Sequence, residues 1–488
     1  MMDRKRPDRP AAQEGGQNRR EILFSIAARV REAGGRAMLV GGCVRDELLG
    51  LACEDVDCEI YGLLPQALCA LAAQFGEVEQ SGARYGVYSL RGQGIDLAIP
   101  RLERRTGPLH RDFDVILDPY LPPERAAARR DFTVNAILRD VLTGEYVDPF
   151  GGREDLENRV LRALPGEGFE EDPLRVLRGA QFASRFGLTP DAQTRDRMAR
   201  MPLFRLSAAR VMEETKKALL QAGEPDVYFR VLGQVGALGP WFAELKALEG
   251  VPQNPRYHPE GDAFEHTMLV LREAAGVRAQ ARDPWAFMLA ALVHALGKAV
   301  STRKNAHGEW HSAGHEQSGM PLARALLSRI GAGKEAIAYA VDMCRLHMRA
   351  HTLFYTQAGV RHTHLLLDES VCPQELILLA VCDARGTAKP RARADEEERF
   401  LSARLALYQD AVRAGMPSGT MLLTAGAKAG PAMGKALSQA RRRVLCGVPL
   451  SMAVEEAVRT THEAPAGDGG KARSSFRRDP FQRDGGIV

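Results

Sequence analysis

Apolar positions in "REILFSIAARVREAG" recur at helical spacing and stop at Gly34-Gly35, a pair suited to a helix C-terminus. Short apolar runs follow. "AMLV", "DCEIYGL", "GVYSLRG" and "IDLAIP" predict strands, and "YVDPFGG" predicts a strand running into a turn. From about Arg153 onward the pattern changes. Alanine- and leucine-rich segments with helical spacing take over, among them "DPLRVLRGAQFASRF", "PWAFMLAALVHALGKA" and "PQELILLAVCDA". The pattern therefore predicts a compact α/β head followed by a mostly helical body, with no strands in the latter.

At 488 residues the chain exceeds one hydrophobic core. Its breaks suggest residues 1–19 as a polar, disordered start, 20–150 as the head and 151–250 as a helical neck. The Pro/Gly-rich "GVPQNPRYHPEGDA" marks the boundary near 250, and "RGTAKPRARADEEE" separates 251–390 from a last helical stretch, 391–463. Residues 464–488 are low in complexity and expected to be disordered. Apolar content of 45% and charged content of 26% are those of a soluble globular protein. The net charge is only +4, but both ends are basic, "RKRPDRP" and "KARSSFRRDPFQR", and read as solvated tails. No run approaches the ~18 apolar residues of a membrane span. The eight cysteines are scattered without a C-x-x-C pair. Together with an N-terminus lacking a secretory apolar core, this predicts a reduced, cytoplasmic protein without a membrane partner. Nothing in the sequence sets an oligomeric state.

The candidate chemistry begins at "LVGGCVRDELLGLACEDVDCEIYGL". Residues i and i+2 of a strand share a face, so Asp55 and Asp57 project side by side and offer hard oxygen ligands to divalent cations. Strand "IDLAIP" brings a third carboxylate, Asp96. Gly41-Gly42 lies between a strand and a helix expected near Val44, where bare backbone N–H groups and Arg45 suit a phosphate. Phosphate, metal and carboxylates together are the parts of two-metal nucleotidyl transfer. Further on, "ARRDFTVNAI" sets Arg129, Arg130 and Asn135 beside an apolar run, and "EDPLRVLRGAQFASRF" puts Asp172, Arg175 and Arg178 at three-residue steps, on one face if helical. Aspartate only accepts hydrogen bonds and arginine only donates them. Such a pair matches cytosine and adenine, which show an amino donor beside a bare ring nitrogen, and mismatches guanine and uracil.

Gly-Gly-x-Val-Arg-Asp, D-x-D, R-R-D-F-T-x-N-A and E-D-x-x-R-x-x-R, in this order, resemble the class II tRNA nucleotidyltransferases, the family of CCA-adding enzymes and bacterial poly(A) polymerases. The resemblance implies a nucleotidyltransferase head, a mixed β-sheet with flanking helices, followed by an all-α neck, body and HD-like region. It implies catalytic Asp55, Asp57 and Asp96, with Mg2+ held by Asp55 and Asp57. The implied nucleotide-binding set is Gly41, Gly42, Arg45, Arg130, Asn135, Asp172, Arg175 and Arg178, in which Asp172 and Arg175 read the base edge. One departure stands out: many relatives carry arginine where this chain has Gln181. The implied activity is template-independent addition of CCA to tRNA from CTP and ATP. CC-only, A-only or poly(A) addition are alternatives of the same chemistry, and a non-catalytic RNA-binding protein or a phosphohydrolase are alternatives of another class. The segment "RLERRTGPLHRDFD" is where CCA and CC specificities would part.

"YHPEGDAFEHTMLVL", "LAALVHALGKAVST" and "LLAVCDARG" resemble the HD phosphohydrolase domain, in which a His, a His-Asp pair and a later Asp hold a metal. His266, His294 and Asp383 stand in place, but Ala295 replaces the paired aspartate. His258, His311, His315 or Asp262 are the candidates to substitute. This domain, 251–390, is therefore expected to be mainly structural, with weak or absent phosphohydrolase activity.

Overall fold

The computed structural model describes residues 13–463, apart from 54, 80–81, 83–84 and 106–112. The basic C-terminal tail and part of "RLERRTGPLHRDFD" lie outside the described residues. The first helix, Gln13–Glu32, begins inside the stretch expected to be disordered. Arg19 fastens it, donating to the carbonyls of Gln93 (2.8 Å) and Cys53 (3.4 Å).

The head is a mixed sheet of seven strands: β1 (Arg36–Val40), β2 (Val56–Tyr61), β3 (Val78–Glu79), β4 (Val87–Leu90), β5 (Ile95–Ala98), β8 (Leu138–Asp140) and β9 (Tyr146–Val147). Their order is β3-β4-β5-β2-β1-β8-β9. The intervening β6 (Arg101–Arg105) and β7 (Phe113–Leu117) pair with each other instead. Within this sheet β2 and β5 are the parallel neighbours among the described residues, and their register sets Asp57 beside Asp96. Alternation along β2 then divides its side chains: Cys58 and Ile60 are fully buried on one face, while Asp57 and Glu59 take the other.

The turn from the first helix into β1 shows why two glycines stand there. Gly34 has φ +83°, and a Cβ on Gly35 would come within 2.5 Å of the Tyr61 carbonyl. Beyond the sheet the chain is mostly helical, but not free of strands. Val160–Leu161 pairs with Thr189–Pro190, and Arg303–Lys304 with Trp310–His311. Pairs of two residues carry no periodic signal, so the pattern could not have announced them.

An aromatic core joins head to neck. Phe132 meets Phe169 and Phe182 edge to face, at 5.5 and 5.7 Å between centroids, which seats the helix Leu174–Phe186 against the "RRDFT" segment. Residues Pro284–Ser301 form the one stretch among the described residues long and apolar enough to cross a membrane; 78% of it is buried inside the fold, as a core helix would be.

Among the described residues the chain divides into two compact units, one running to His351 with Ser370–Glu398, the other of Thr352–Glu369 with the residues from Arg399 onward. The second is helical. Ala436, Ala440, Ala453, Ala457 and Leu422 form its core, and Asp368 accepts from Arg441 and from the Tyr408 hydroxyl.

Candidate functional site

β2 places the carboxylates. Asp55 immediately precedes the strand, Asp57 lies on it, and Asp96 is its registered neighbour on β5. Asp57 reaches solvent, yet the protein around it withdraws enough water to push its pKa above the ordinary carboxylate value. Arg130 opposes that rise, while Asp96 and Asp55 add to it. A cluster of this kind gains from a cation, and hard oxygen donors suit a divalent one.

Two residues along, Glu59 has the opposite fate. Burial works against its charge, but Arg130, Arg129 and Tyr61 hold its pKa below the usual range. Glu59 Oε1 accepts from Arg129 (2.9 Å) and Arg130 (3.2 Å), and Oε2 from the Tyr61 hydroxyl (2.8 Å). Glu59 is thus an anchor for arginines rather than a metal ligand. Its i+2 spacing from Asp57 was the signal that sequence reading passed over.

Arg130 crosses from Glu59 to the glycine turn. Gly41 has φ +72°, and a Cβ there would sit 2.6 Å from Arg130 Nη1. Glycine is required twice, for the backbone angle and for the approach of the guanidinium. Arg130 Nε is buried and finds no acceptor among the described residues. An anion in front of the turn would supply one. The helix after the turn starts at Gly42 rather than near Val44.

Arg45 and Asn135 face each other instead of solvent. Arg45 donates to Asn135 Oδ1 (2.7 Å) and to Asp46 Oδ1 (2.6 Å from Nη2), with its guanidinium 4.2 Å from the Phe186 ring centroid. Asn135 donates to Asp131 Oδ1 (2.8 Å), and Arg178 Nε donates to Asp131 Oδ2 (2.6 Å). Buried Asp131 was not singled out in the sequence. Burial alone would raise its pKa, but Arg178 and Asn135 hold it below the ordinary value.

The expected common face of Asp172, Arg175 and Arg178 is corrected by the structure. Asp172 lies outside the helix, at φ −128° and ψ 106°, because the ring of Pro173 disfavours helical backbone in the residue before it. Its Oδ1 accepts from the Leu174 N–H at 3.0 Å, and Arg210 grips both oxygens, at 3.1 and 2.6 Å. Arg175 reaches back to the carbonyls of Arg129, Arg130 and Gly168. Gln181 is buried in the same helix, within 3.0 Å of Arg185.

A second centre lies in the helical region. His266, His294 and Asp383, all buried, converge: His266 Nε2 is 3.0 Å from Asp383 Oδ1 and 3.4 Å from His294 Nε2. Beside them His315 Nε2 and His347 Nε2 stand 3.2 Å apart. The Nδ1 atoms of His294, His315 and His347 meet the carbonyls of Ala291, Ser312 and Cys344, which only accept, so each Nδ1 carries the proton. The Nε2 atoms of the neutral rings are then bare lone pairs. His266 differs, with Glu260 at its Nδ1 (3.0 Å) and Asp383 at its Nε2 (3.0 Å), so both ring nitrogens face carboxylates. Bare nitrogens facing each other at 3.2 Å, those of His315 and His347, call for a cation between them. Ligands about 2.1 Å from one metal have such separations.

Of the candidate substitutes, His315 joins this cluster, and His258 binds Glu260 at its edge (2.8 Å). Asp262 caps the helix Ala263–Val277, and His311 sits in a two-residue strand. Sequence reading missed His347 and His351, whose i, i+4 spacing on one helix was a usable signal. His351 bridges Asp383 (2.9 Å) and Glu397 (2.6 Å).

A family model described as the poly A polymerase head domain matches residues 37–162. A multifunctional CCA protein of Pasteurella multocida is 37% identical over 360 residues, covering 71% of this chain and 83% of the relative. That of Hahella chejuensis is 39% identical over 375 residues, covering 73% and 85%. Among solved structures, a CCA-adding enzyme complexed with ATP matches with a TM-score of 0.62 at 19% identity, covering 95% of this chain and 97% of that one. The Thermotoga maritima CCA-adding enzyme complexed with tRNA matches at 0.60 and 18%, covering 90% and 95%. At these identities the structural matches establish the fold.

The buried histidines set an acid limit. Burial lowers the pKa of His258 and His315 to about 4 and of His294 to about 3, from 6.5. The unfolded chain takes up their protons below pH 6.5 and the native protein does not, so stability falls as pH drops from 6.5 toward 4. His351, raised to about 10 by Asp383 and Glu397 against its burial, acts oppositely: its contribution is full below pH 6.5 and is lost as pH rises from 6.5 through about 10. Thermal melts of chelator-treated protein should show a midpoint declining below pH 6.5, more shallowly in His315→Asn; a flat profile would contradict the assignment.

Proposed function

The chain belongs to the multifunctional CCA protein family, and from that premise we infer that it completes tRNA 3′ ends, adding C, C and A from CTP and ATP without a template. The observation that carries this reading is the registered pair Asp57 and Asp96, with Asp55 beside them and Arg130 seated on the Gly41 turn. The raised Asp57 and its neighbours fit a divalent cation, and we assign Mg2+ to Asp55 and Asp57. When bound, it supplies charge neutralisation at the attacking 3′-oxygen and the leaving pyrophosphate.

The chain's own groups do the rest. Arg130, aligned by Glu59, and the N–H groups at Gly41 and Gly42 hold the triphosphate. Arg45 and Asn135 brace that turn through Asp131, and Arg178 ties the brace to the neck helix. Asp172 accepts from the amino group of cytosine or adenine, with Arg175 nearby holding the 129–130 backbone in position. Uracil and guanine would set an acceptor against the carboxylate and leave it unpaired, which is the basis of their rejection. Binding of every tRNA requires backbone contacts rather than sequence readout.

A second reading concerns the histidine centre, where an expected carboxylate is missing at Ala295. His266, His294 and Asp383, with His315 and His347 alongside, form a nitrogen-rich set that favours a borderline transition metal over Mg2+. It holds the cation chiefly for structure, and phosphoester hydrolysis there is weak.

Four outcomes test these assignments. Asp55→Ala and Asp57→Ala should each lower CMP and AMP incorporation by about a hundredfold or more; near-parent rates in either variant would refute the carboxylate assignment. Asp172→Ala should raise misincorporation of UTP and GTP while tRNA affinity holds, and unaltered selectivity in single-nucleotide assays would remove its role. Nickel or zinc should raise the melting midpoint of chelator-treated protein, and His294→Ala should abolish the shift. Hydrolysis of a 2′,3′-cyclic nucleotide should stay weak in the parent and rise in Ala295→Asp; vigorous parent hydrolysis would overturn the structural role.

A further inference from the structure

We propose that Arg210, which lies outside all four sequence motifs, is the positioning residue that fixes the base-reading carboxylate of Asp172. The proposal rests on the reading of Asp172 given above. A carboxylate can tell an amino group from a carbonyl only if its oxygens are aimed. Asp172 receives no such aim from secondary structure, because it lies in extended backbone one residue ahead of Pro173. A side chain there is free to change rotamer unless something else holds it.

Arg210 supplies the hold. Its Nη1 and Nη2 donate to Oδ1 and Oδ2, at 3.1 and 2.6 Å, a fork that sets the plane of the carboxylate as well as its position. The Leu174 N–H on Oδ1 adds a third donor. Arg210 is itself in the first turn of the helix Ala208–Gln221, whose Val211, Ala218 and Leu219 are wholly buried, so the fork stands on a rigid base. Arg175, in contrast, spends its donors on the backbone carbonyls of residues 129, 130 and 168. The Asp172–Arg210 pair is about one quarter exposed on both sides.

The test compares Arg210→Gln, Arg210→Lys, Asp172→Ala and the double variant Asp172→Ala/Arg210→Gln, in full-length protein with tRNA transcripts lacking CCA or the terminal A. KM and kcat are measured for CTP, ATP and UTP singly, alongside melting temperature and tRNA affinity. Arg210→Gln should raise KM for CTP and ATP about tenfold and bring UTP about tenfold closer to CTP in kcat/KM, with melting temperature and tRNA affinity unchanged. Arg210→Lys, which keeps the charge and loses the fork, should fall between. The double variant should be no less selective than Asp172→Ala, because the two residues act as one unit. If Asp172→Ala loses selectivity and Arg210→Gln keeps it, or if their effects add, the positioning role is overturned on its own. If Asp172→Ala keeps its selectivity, the base-reading role fails first and the role of Arg210 falls with it.

Discussion

The buried carboxylate of Asp131 is the constraint on which the head and neck depend. It is withdrawn from water and must find its donors inside the protein, which it does from the Phe132 N–H, Asn135 and Arg178. Those partners come from different parts of the chain. Arg178 belongs to the neck helix, and through Asn135 the network continues to Arg45 and Asp46 behind the glycine turn. Removing one member of such a buried set strands the others, at a cost of about 3–5 kcal/mol. The glycine turn and the neck helix are therefore held in one arrangement, and Phe132, packed edge to face against Phe169 and Phe182, seals it on the apolar side.

With that frame fixed, β2 sorts its carboxylates by environment. Glu59 is buried and satisfied by two arginines and a tyrosine, so it stays ionised and immobile. Asp57, on the same face, is left with like charges around it and one opposing arginine. The difference between an anchoring acid and a metal-binding one lies in who stands opposite. The histidine centre follows the same logic with the signs reversed. Backbone carbonyls take the Nδ1 protons of His294, His315 and His347, and what remains is a group of lone pairs suited to a cation.

Arginines in the motif regions divide between support and contact. Arg45, Arg175 and Arg178 are engaged with the protein, on Asn135, on backbone carbonyls and on Asp131. Arg130 leans on the glycine turn, and its buried Nε, like that of Arg129, lacks an acceptor among the described residues. A bidentate guanidinium is suited to both duties, and spacing in the sequence does not distinguish them.

By itself the sequence determined the head-then-helices order, the D-x-D pair and the glycine turn, because each is a local pattern: a period, a repeat of two, a conformation few residues adopt. It even contained the correction at Asp172, since proline constrains the residue before it. Glu59 and the His347–His351 spacing were also legible, as same-face positions. Only the tertiary structure decided the rest. Register alone brings Asp96 to Asp57, and Asp131 gains its importance from Arg178, distant in the chain. Arg210 meets Asp172 because two helices pack, and His315 and His347 face each other from separate helices. Ion pairs and ligand sets act through space over a few ångströms, and separation along the chain carries no record of which charges will be brought that close.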